Sequence, residues 1–167
     1  GALCPFFVMT GMHYCFAPIQ TIQYATLGYG TILGPGMLAS NIAQGTASLM
    51  VGLRTKNKNL KELSLSSGFT ALMGITEPAI FGVNLRHIKV FICGSIGGAC
   101  GALMTSIFHL GATATGVTGI FAILLHLNQP VQYIVSMLVA MGVAFLLTWI
   151  FGYKAEKPAA AKTASNA

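Results

Sequence analysis

There is no aspartate in this chain, and the acidic residues number only 3 in 167. Charged residues of both signs make up 7%, against about 25% in soluble domains. A chain this short of charge cannot cover a folded surface with polar groups in water. The missing aspartate excludes a Ser-His-Asp set. No Walker sequence is present, and no GxGxxG followed by an acid, so the common nucleotide-binding loops are excluded too. No cysteine pair has CxxC spacing. Cys4, Cys15, Cys93 and Cys100 all lie in apolar blocks, which predicts buried, reduced thiols rather than a disulfide or a metal site. His13, His87, His109 and His126 lack the i, i+4 spacing of a helical zinc site. Neither a metal nor a cofactor is expected.

The net charge of +6 reflects missing acids more than abundant bases. The bases cluster as Arg54-Lys56-Lys58-Lys61, Arg86-Lys89 and Lys154-Lys157-Lys162. Nucleic-acid binding calls for a basic face on a soluble module. Short basic loops between apolar spans read instead as topology signals, with a lipid bilayer as the partner.

What the chain has is apolar sequence, 54% hydrophobic with a mean hydropathy of +0.74. The apolar blocks, approximately 3–29, 31–53, 64–85, 88–110, 112–128 and 131–152, are long and unbroken. They lack the alternation of a transmembrane barrel. The expected fold is therefore an all-α integral membrane protein whose transmembrane helices are accompanied by re-entrant or broken helical hairpins. Residues 1–153 read as the membrane domain, and 154–167, rich in Ala, Lys and Ser, as a disordered cytoplasmic tail. The opening GALCPFFVMTGMHYCF has no initiator Met, basic n-region or cleavage site. It reads as the interior of a longer transporter.

Blocks 88–110 and 131–152 are long enough to cross a bilayer. Gly94, Gly97, Gly98 and Gly101 recur at spacings of three and four, which predicts one helix face open to close approach by a neighbour. Trp149 and Tyr153 suit an interfacial anchor. Gly28, Gly30, Gly34 and Gly36 around Pro35 predict a loop or break. Block 64–85, with Gly74 and Pro78 near its centre, and the short block 112–128 read as re-entrant or broken segments. Charge parity favours this: if 64–85 dips and returns, all three basic clusters face one side, the cytoplasm. If both segments span fully, Arg86 and Lys89 face outward.

The stretch GITEPAIFGVNLR, residues 74–86, holds Glu77 directly before Pro78. An ionisable group in the bilayer core costs roughly 2.5–3.5 kcal/mol on insertion scales. One reading is structural: Thr76 or Glu77 caps a half-helix starting at Pro78, or Glu77 pairs with a base. The other is functional: discontinuous helices at the midplane are where transporters place substrate. A carboxylate accepts two sugar hydroxyls in charge-assisted bonds, and a hydroxyl attacking a phosphoryl donor benefits from a nearby base. On that reading Glu77 is buried, binds substrate, and is the candidate base.

His13, in TGMHYCFAPIQ, is the second candidate, either as a hydrogen-bonded packing residue or as a functional one. His109 and His126 read as interfacial and His87 as solvated. Asn41 and Gln44 are amides about one helical turn apart, which either bridge helices or line a polar path.

GITEPAIFGVNLR resembles the signature of the sugar-specific enzyme IIC component of the bacterial phosphoenolpyruvate-dependent phosphotransferase system, glucose superfamily. TGMHYCFAPIQ is similar to that family's histidine stretch, with Tyr14 in place of the second histidine, and SNIAQGTASLMVGLRTKNKNLKEL resembles the segment between. Order and spacing agree over approximately residues 3–152. The resemblance implies the sugar-binding half of a multi-pass inner-membrane permease that presents sugar for phosphorylation. It implies that Glu77 and His13 contact sugar hydroxyls and that Gly74, Ile75 and Thr76 shape the pocket. It also implies a phosphorylated enzyme IIB partner that supplies the phosphoryl group, since none of the four cysteines lies in a soluble Arg-containing loop, and a homodimer formed through a missing N-terminal half. By itself the chain is not expected to catalyse transfer. The wording of the two motifs is closest to the sucrose and trehalose branch. The β-glucoside branch usually has Tyr-Gly-Val where this chain has Phe81-Gly82-Val83. Sucrose is the leading substrate, trehalose the next.

Two alternatives remain open on the residues alone. An ion-coupled secondary transporter would use Glu77 and His13 as a proton relay. A purely structural membrane subunit would use Glu77 as a helix cap.

Overall fold

The computed structural model describes residues 1–28, 34–112 and 118–153. The expected break at Gly30, part of block 112–128, the third basic cluster and the tail fall on residues outside these. The described residues are helical, with no strand element among them.

The chain opens with α1 (Cys4–Met9), a 3₁₀ turn (Met12–Cys15) and α2 (Phe16–Leu27). Gly28, in the left-handed region at φ 75°, ends α2. α3 (Gly34–Arg54) carries Pro35 in its first turn, where a missing N–H costs nothing. No break therefore falls at Pro35 itself. α3 is the axis of the molecule, packing on α4 (Lys58–Leu72), α6 (Ile88–Ile107) and α7 (Pro130–Leu147). Asn57 starts α4, its side chain accepting the Asn59 N–H at 3.1 Å.

Close approach is built from glycine. A Cβ on Gly94 or Gly98 would meet Gln44 or Ser40 of α3 at 2.9 Å. A Cβ on Gly97 or Gly101 would meet Ala144 or Ala140 of α7 at 2.7 and 2.6 Å. The glycine set expected to face one neighbour thus faces two, because the three-residue step rotates the contact from α3 to α7. Gly45, Gly52 and Gly68 seat α4 on α3 in the same way.

Block 64–85 does not continue as one helix. α4 ends at Leu72, the chain turns through residues 73–76, and α5 (Glu77–Ala79) begins the return. A π-helical turn (Ile80–Asn84) and a 3₁₀ turn (Leu85–His87) carry it into α6. The returning segment packs back on α4 and brings Gly82 against Leu63. The hairpin tip reaches only partway along α3: Ala71 and Leu72 lie against Gly45, near the midpoint of that helix. α3 is about 31 Å long at 1.5 Å per residue, so the tip sits beside the middle of that helix.

The basic clusters that are described meet at one end. The Tyr153 hydroxyl donates to Thr55 Oγ1 at 3.1 Å, and its ring packs edge-on against His87 at 5.0 Å. Arg54 donates to the Trp149 carbonyl and lies over its indole, 5.5 Å from the ring centre. Residues 54–55, 87 and 149–153 therefore share one end of the bundle, the arrangement expected if 64–85 dips and returns. Tyr153 is buried at this junction rather than anchoring at an interface, and His87 is half-buried rather than solvated. Their mutual packing is the reason.

Two helical stretches, Glu77–Ile107 and Pro130–Gly152, are long and apolar enough to cross a membrane. Apolar side chains of the second stand outward, among them Val131, Ile134, Leu138, Leu146, Ile150 and Phe151. The four cysteines are free thiols; Cys4 and Cys93 are buried, Cys100 is half-buried, and Cys15, expected to be buried, is exposed on the turn before α2.

Candidate functional site

The site is built around the turn 73–76. Gly74 has φ 114°, and a Cβ there would lie 1.9 Å from Thr118 Oγ1, so only glycine fits. Backbone bonds close the turn, Gly74 N–H to the Ala71 carbonyl at 3.0 Å and Ile75 N–H to the Thr70 carbonyl at 3.1 Å. Opposite stands Gly119, φ 69°, whose Cβ would lie 2.2 Å from the Leu72 carbonyl oxygen. Thr118 donates its hydroxyl to the Gly74 carbonyl at 3.3 Å. The two segments expected to be re-entrant thus meet through these residues, the second continuing as the 3₁₀ helix Gly119–His126.

Glu77 is the first residue of α5, with Pro78 behind it. Thr76 occupies the N-cap position, but its side chain makes no capping bond, and the helix starts one residue earlier than expected. A carboxylate in a first helical turn faces the positive end of the helix dipole. Glu77 was expected to be buried and is exposed. Among the described residues its carboxylate has no hydrogen-bond or ion-pair partner. Around it Thr76 is buried and Ile75 exposed.

His13 lies in the 3₁₀ turn between α1 and α2, half-buried, its ring 4.1 Å from that of Tyr14. Its Nδ1 is buried without a hydrogen-bond partner among the described residues. α1 joins this turn to the Glu77 helix: Cys4 and Val8 pack with Ile80 and Phe91, and Phe6 meets Phe91 edge-on at 5.0 Å. Ile80 is one turn beyond Glu77, so α1 reaches the helix that carries the carboxylate.

Gln44 is buried and makes helix-bridging bonds. Its Nε2 donates to the Phe91 carbonyl at 3.2 Å and to Ser95 Oγ at 3.3 Å. Asn84, the Asn of the GITEPAIFGVNLR stretch, donates to Gln44 Oε1 at 2.7 Å and to the Gln44 carbonyl at 3.0 Å. Asn41 is half-buried one turn earlier on α3. Asn84 was not singled out from sequence; the only signal was an uncharged amide closing an apolar run.

His126, expected at an interface, is fully buried. Its Nδ1 bonds the Ala122 carbonyl at 2.9 Å and its ring stacks on Tyr133 at 4.7 Å. His109, at the end of α6, is exposed with φ 48°. No group of three or more metal-ligating side chains is found among the described residues.

Comparison with known proteins gives this geometry a family. The model of the family described as "Phosphotransferase system, EIIC" matches residues 1–98. The sucrose-specific EIIBC component of the phosphotransferase system of Salmonella typhimurium is 37% identical over 159 residues, 93% of this chain and 35% of that protein. Its counterpart from Vibrio alginolyticus is 39% identical over 150 residues, 87% of this chain and 31% of that protein. A beta-glucoside-specific EIIBCA component from Bacillus subtilis is 50% identical over a shorter 94 residues, 56% of this chain and 15% of that protein. The chain spans about a third of the length of the sucrose-specific relatives. No solved structure matches. The family match covers more than half of the chain, including the whole turn that carries Glu77, and the chain belongs to the EIIC family of the phosphotransferase system.

Proposed function

We propose that this chain forms the sugar-binding part of a membrane permease that takes up a disaccharide of the sucrose type and presents it for phosphorylation. The observation that carries the reading is the turn 73–76. It lies beside the middle of α3 and is followed directly by an exposed carboxylate at a helix N-terminus. Helices broken at mid-depth suit a substrate site, and a carboxylate that its own chain leaves uncovered has both oxygens for sugar hydroxyls. Glu77 binds the sugar and is the candidate base for the hydroxyl that takes the phosphoryl group. His13, with its unpartnered Nδ1, supplies a second polar contact, and Gly74, Ile75 and Thr76 form the floor. The phosphoryl group comes from a phosphorylated enzyme IIB domain, which the names of the EIIBC relatives support. It approaches the basic end, which faces the cytoplasm on the positive-inside rule.

The sucrose assignment rests on relatives that match 87–93% of this chain. The higher identity to a beta-glucoside-specific protein over a shorter stretch favours a second substrate class. Binding of radiolabelled sucrose, trehalose, maltose and a β-glucoside to the purified protein that carries this chain separates them, each repeated with Glu77→Gln. Saturable binding of one sugar, lost in the variant, is the expected result. Uptake yielding free sugar rather than sugar phosphate would point to an ion-coupled transporter. Unchanged binding in Glu77→Gln would remove Glu77 from the site.

A further inference from the structure

We infer that Tyr133 is a positioning residue for the sugar site, holding the turn 73–76 in place through Gly119 and Thr118. The inference rests on the reading of Glu77 as a sugar ligand.

The argument starts from the junction. Each turn passes its tightest described point on a glycine with positive φ, and each glycine leaves room that the other segment fills. Glycine adopts this conformation without strain but also leaves it without strain. A junction of two such turns therefore needs an outside constraint to keep one geometry. α7 supplies it. The Tyr133 hydroxyl donates to the Gly119 carbonyl at 3.0 Å, and the tyrosine is 3% exposed. Its ring is fixed in turn by His126, stacked at 4.7 Å with 22° between planes, and His126 is tied to the Ala122 carbonyl. Tyr133, Ala122, Leu72, Leu110 and Met137 lie in one apolar cluster, so the phenol has a packed wall behind it.

The chain of constraint then reads outward. Tyr133 fixes the Gly119 peptide, Gly119 packs on Leu72 and Gly74, and Thr118 donates to the Gly74 carbonyl. Three residues after Gly74 comes Glu77. Without the phenolic hydroxyl the Gly119 peptide has lost its buried donor, and the two glycine turns are free to sample other geometries. The site then spends part of its time with Glu77 out of register. The loss falls on sugar affinity more than on turnover, because a fraction of binding-competent protein divides directly into the apparent dissociation constant.

The test is Tyr133→Phe in the protein that carries this chain, reconstituted in lipid vesicles. The apparent KM for the transported sugar is expected to rise, by no more than about tenfold, the ceiling that one buried neutral hydrogen bond sets, with the loss on KM rather than on Vmax. In parallel, nitroxide labels on cysteines placed at exposed Ile75 and Ile120, with the four cysteines of this chain and any outside it replaced, report the junction directly. Their distance distribution is expected to broaden in Tyr133→Phe. An unchanged KM, or an unchanged distance distribution, overturns the inference. A hydroxyl that only stabilises the fold would lower the amount of folded protein and move neither reading. Should Tyr133→Phe fail to fold, Thr118→Val removes the other hydroxyl at similar volume, and the same two readings decide. Glu77→Gln keeps the two claims apart. Wild-type binding in that variant overturns the site reading, whereas the label distance in Tyr133→Phe reads the junction whatever Glu77 does.

Discussion

The Gln44–Asn84 pair allows the sharpest test of how this bundle is held together. Replacing Gln44 by Leu keeps most of the volume and deletes three side-chain bonds: two donated by Nε2, to Phe91 and Ser95, and one accepted from Asn84 at 2.7 Å. Ser95 keeps its bond to the Phe91 carbonyl, and Asn84 keeps its bond to the Gln44 carbonyl, so two of the partners are not left empty. Intramolecular bonds are worth about 0.5–1.5 kcal/mol each in water, and side-chain bonds between membrane helices average about 0.6 kcal/mol. Gln44→Leu should therefore destabilise by about 2 kcal/mol. Asn84→Leu deletes two bonds but also removes Oδ1, a buried acceptor without a partner among the described residues. Relief of that atom offsets part of the loss, leaving about 1 kcal/mol. The two changes share the 2.7 Å bond, so the double variant should cost less than the sum by roughly 0.6–1.5 kcal/mol. The assay is a double-mutant cycle on the midpoint of unfolding in mixed detergent micelles. A coupling near zero, or Asn84→Leu more damaging than Gln44→Leu, would refute the reasoning.

Four further outcomes follow from the geometry. Gly97→Leu forces a side chain into the Ala144 backbone, 2.9 Å from where its Cβ must sit. It should cost at least the 1–3 kcal/mol typical of overpacking, measured as the same unfolding midpoint; a neutral result would mean α6 and α7 do not pack this closely. Gly142, with open space around its Cβ position, should accept Ala with a gain of up to about 1 kcal/mol from helix propensity. Gly74→Ala, at φ 114° against Thr118, should abolish sugar binding in the same assay series. Cysteines introduced at Lys56 and Arg86 should both react with a membrane-impermeant maleimide from the cytoplasmic face of inverted vesicles. Labelling from opposite faces would mean that 64–85 crosses the membrane.

Much of the architecture was legible in advance because membrane sequence is read through a few strong constraints. The spans at 88–110 and 131–152, the break at Gly74 and the shared end of the two described basic clusters all follow from span length, glycine and proline chemistry, and charge. The glycine spacing of α6 was legible as close packing, but its division between α3 and α7 was not. That depends on which helices the connections bring alongside. The exposed Glu77, the buried His126 and the buried Tyr153 were all misplaced from sequence. A window of apolar neighbours reports the hydrophobicity of a segment, not the side on which another segment will lie.

The sequence by itself determined that this chain is helical, belongs in a lipid environment and carries its distinctive carboxylate in a broken segment. Low charge, long apolar runs and the Gly74–Pro78 punctuation leave no other economical solution for the backbone's hydrogen bonds. Only the tertiary structure decided that the turn at Gly74 meets the turn at Gly119, and that Tyr133 and His126 stand behind the junction. The two turns are 44 positions apart at their hydrogen bond, and nothing in their local sequence encodes the contact. It arises because α3, α6 and α7 pack through glycine and alanine closely enough to bring the two turns within hydrogen-bonding reach.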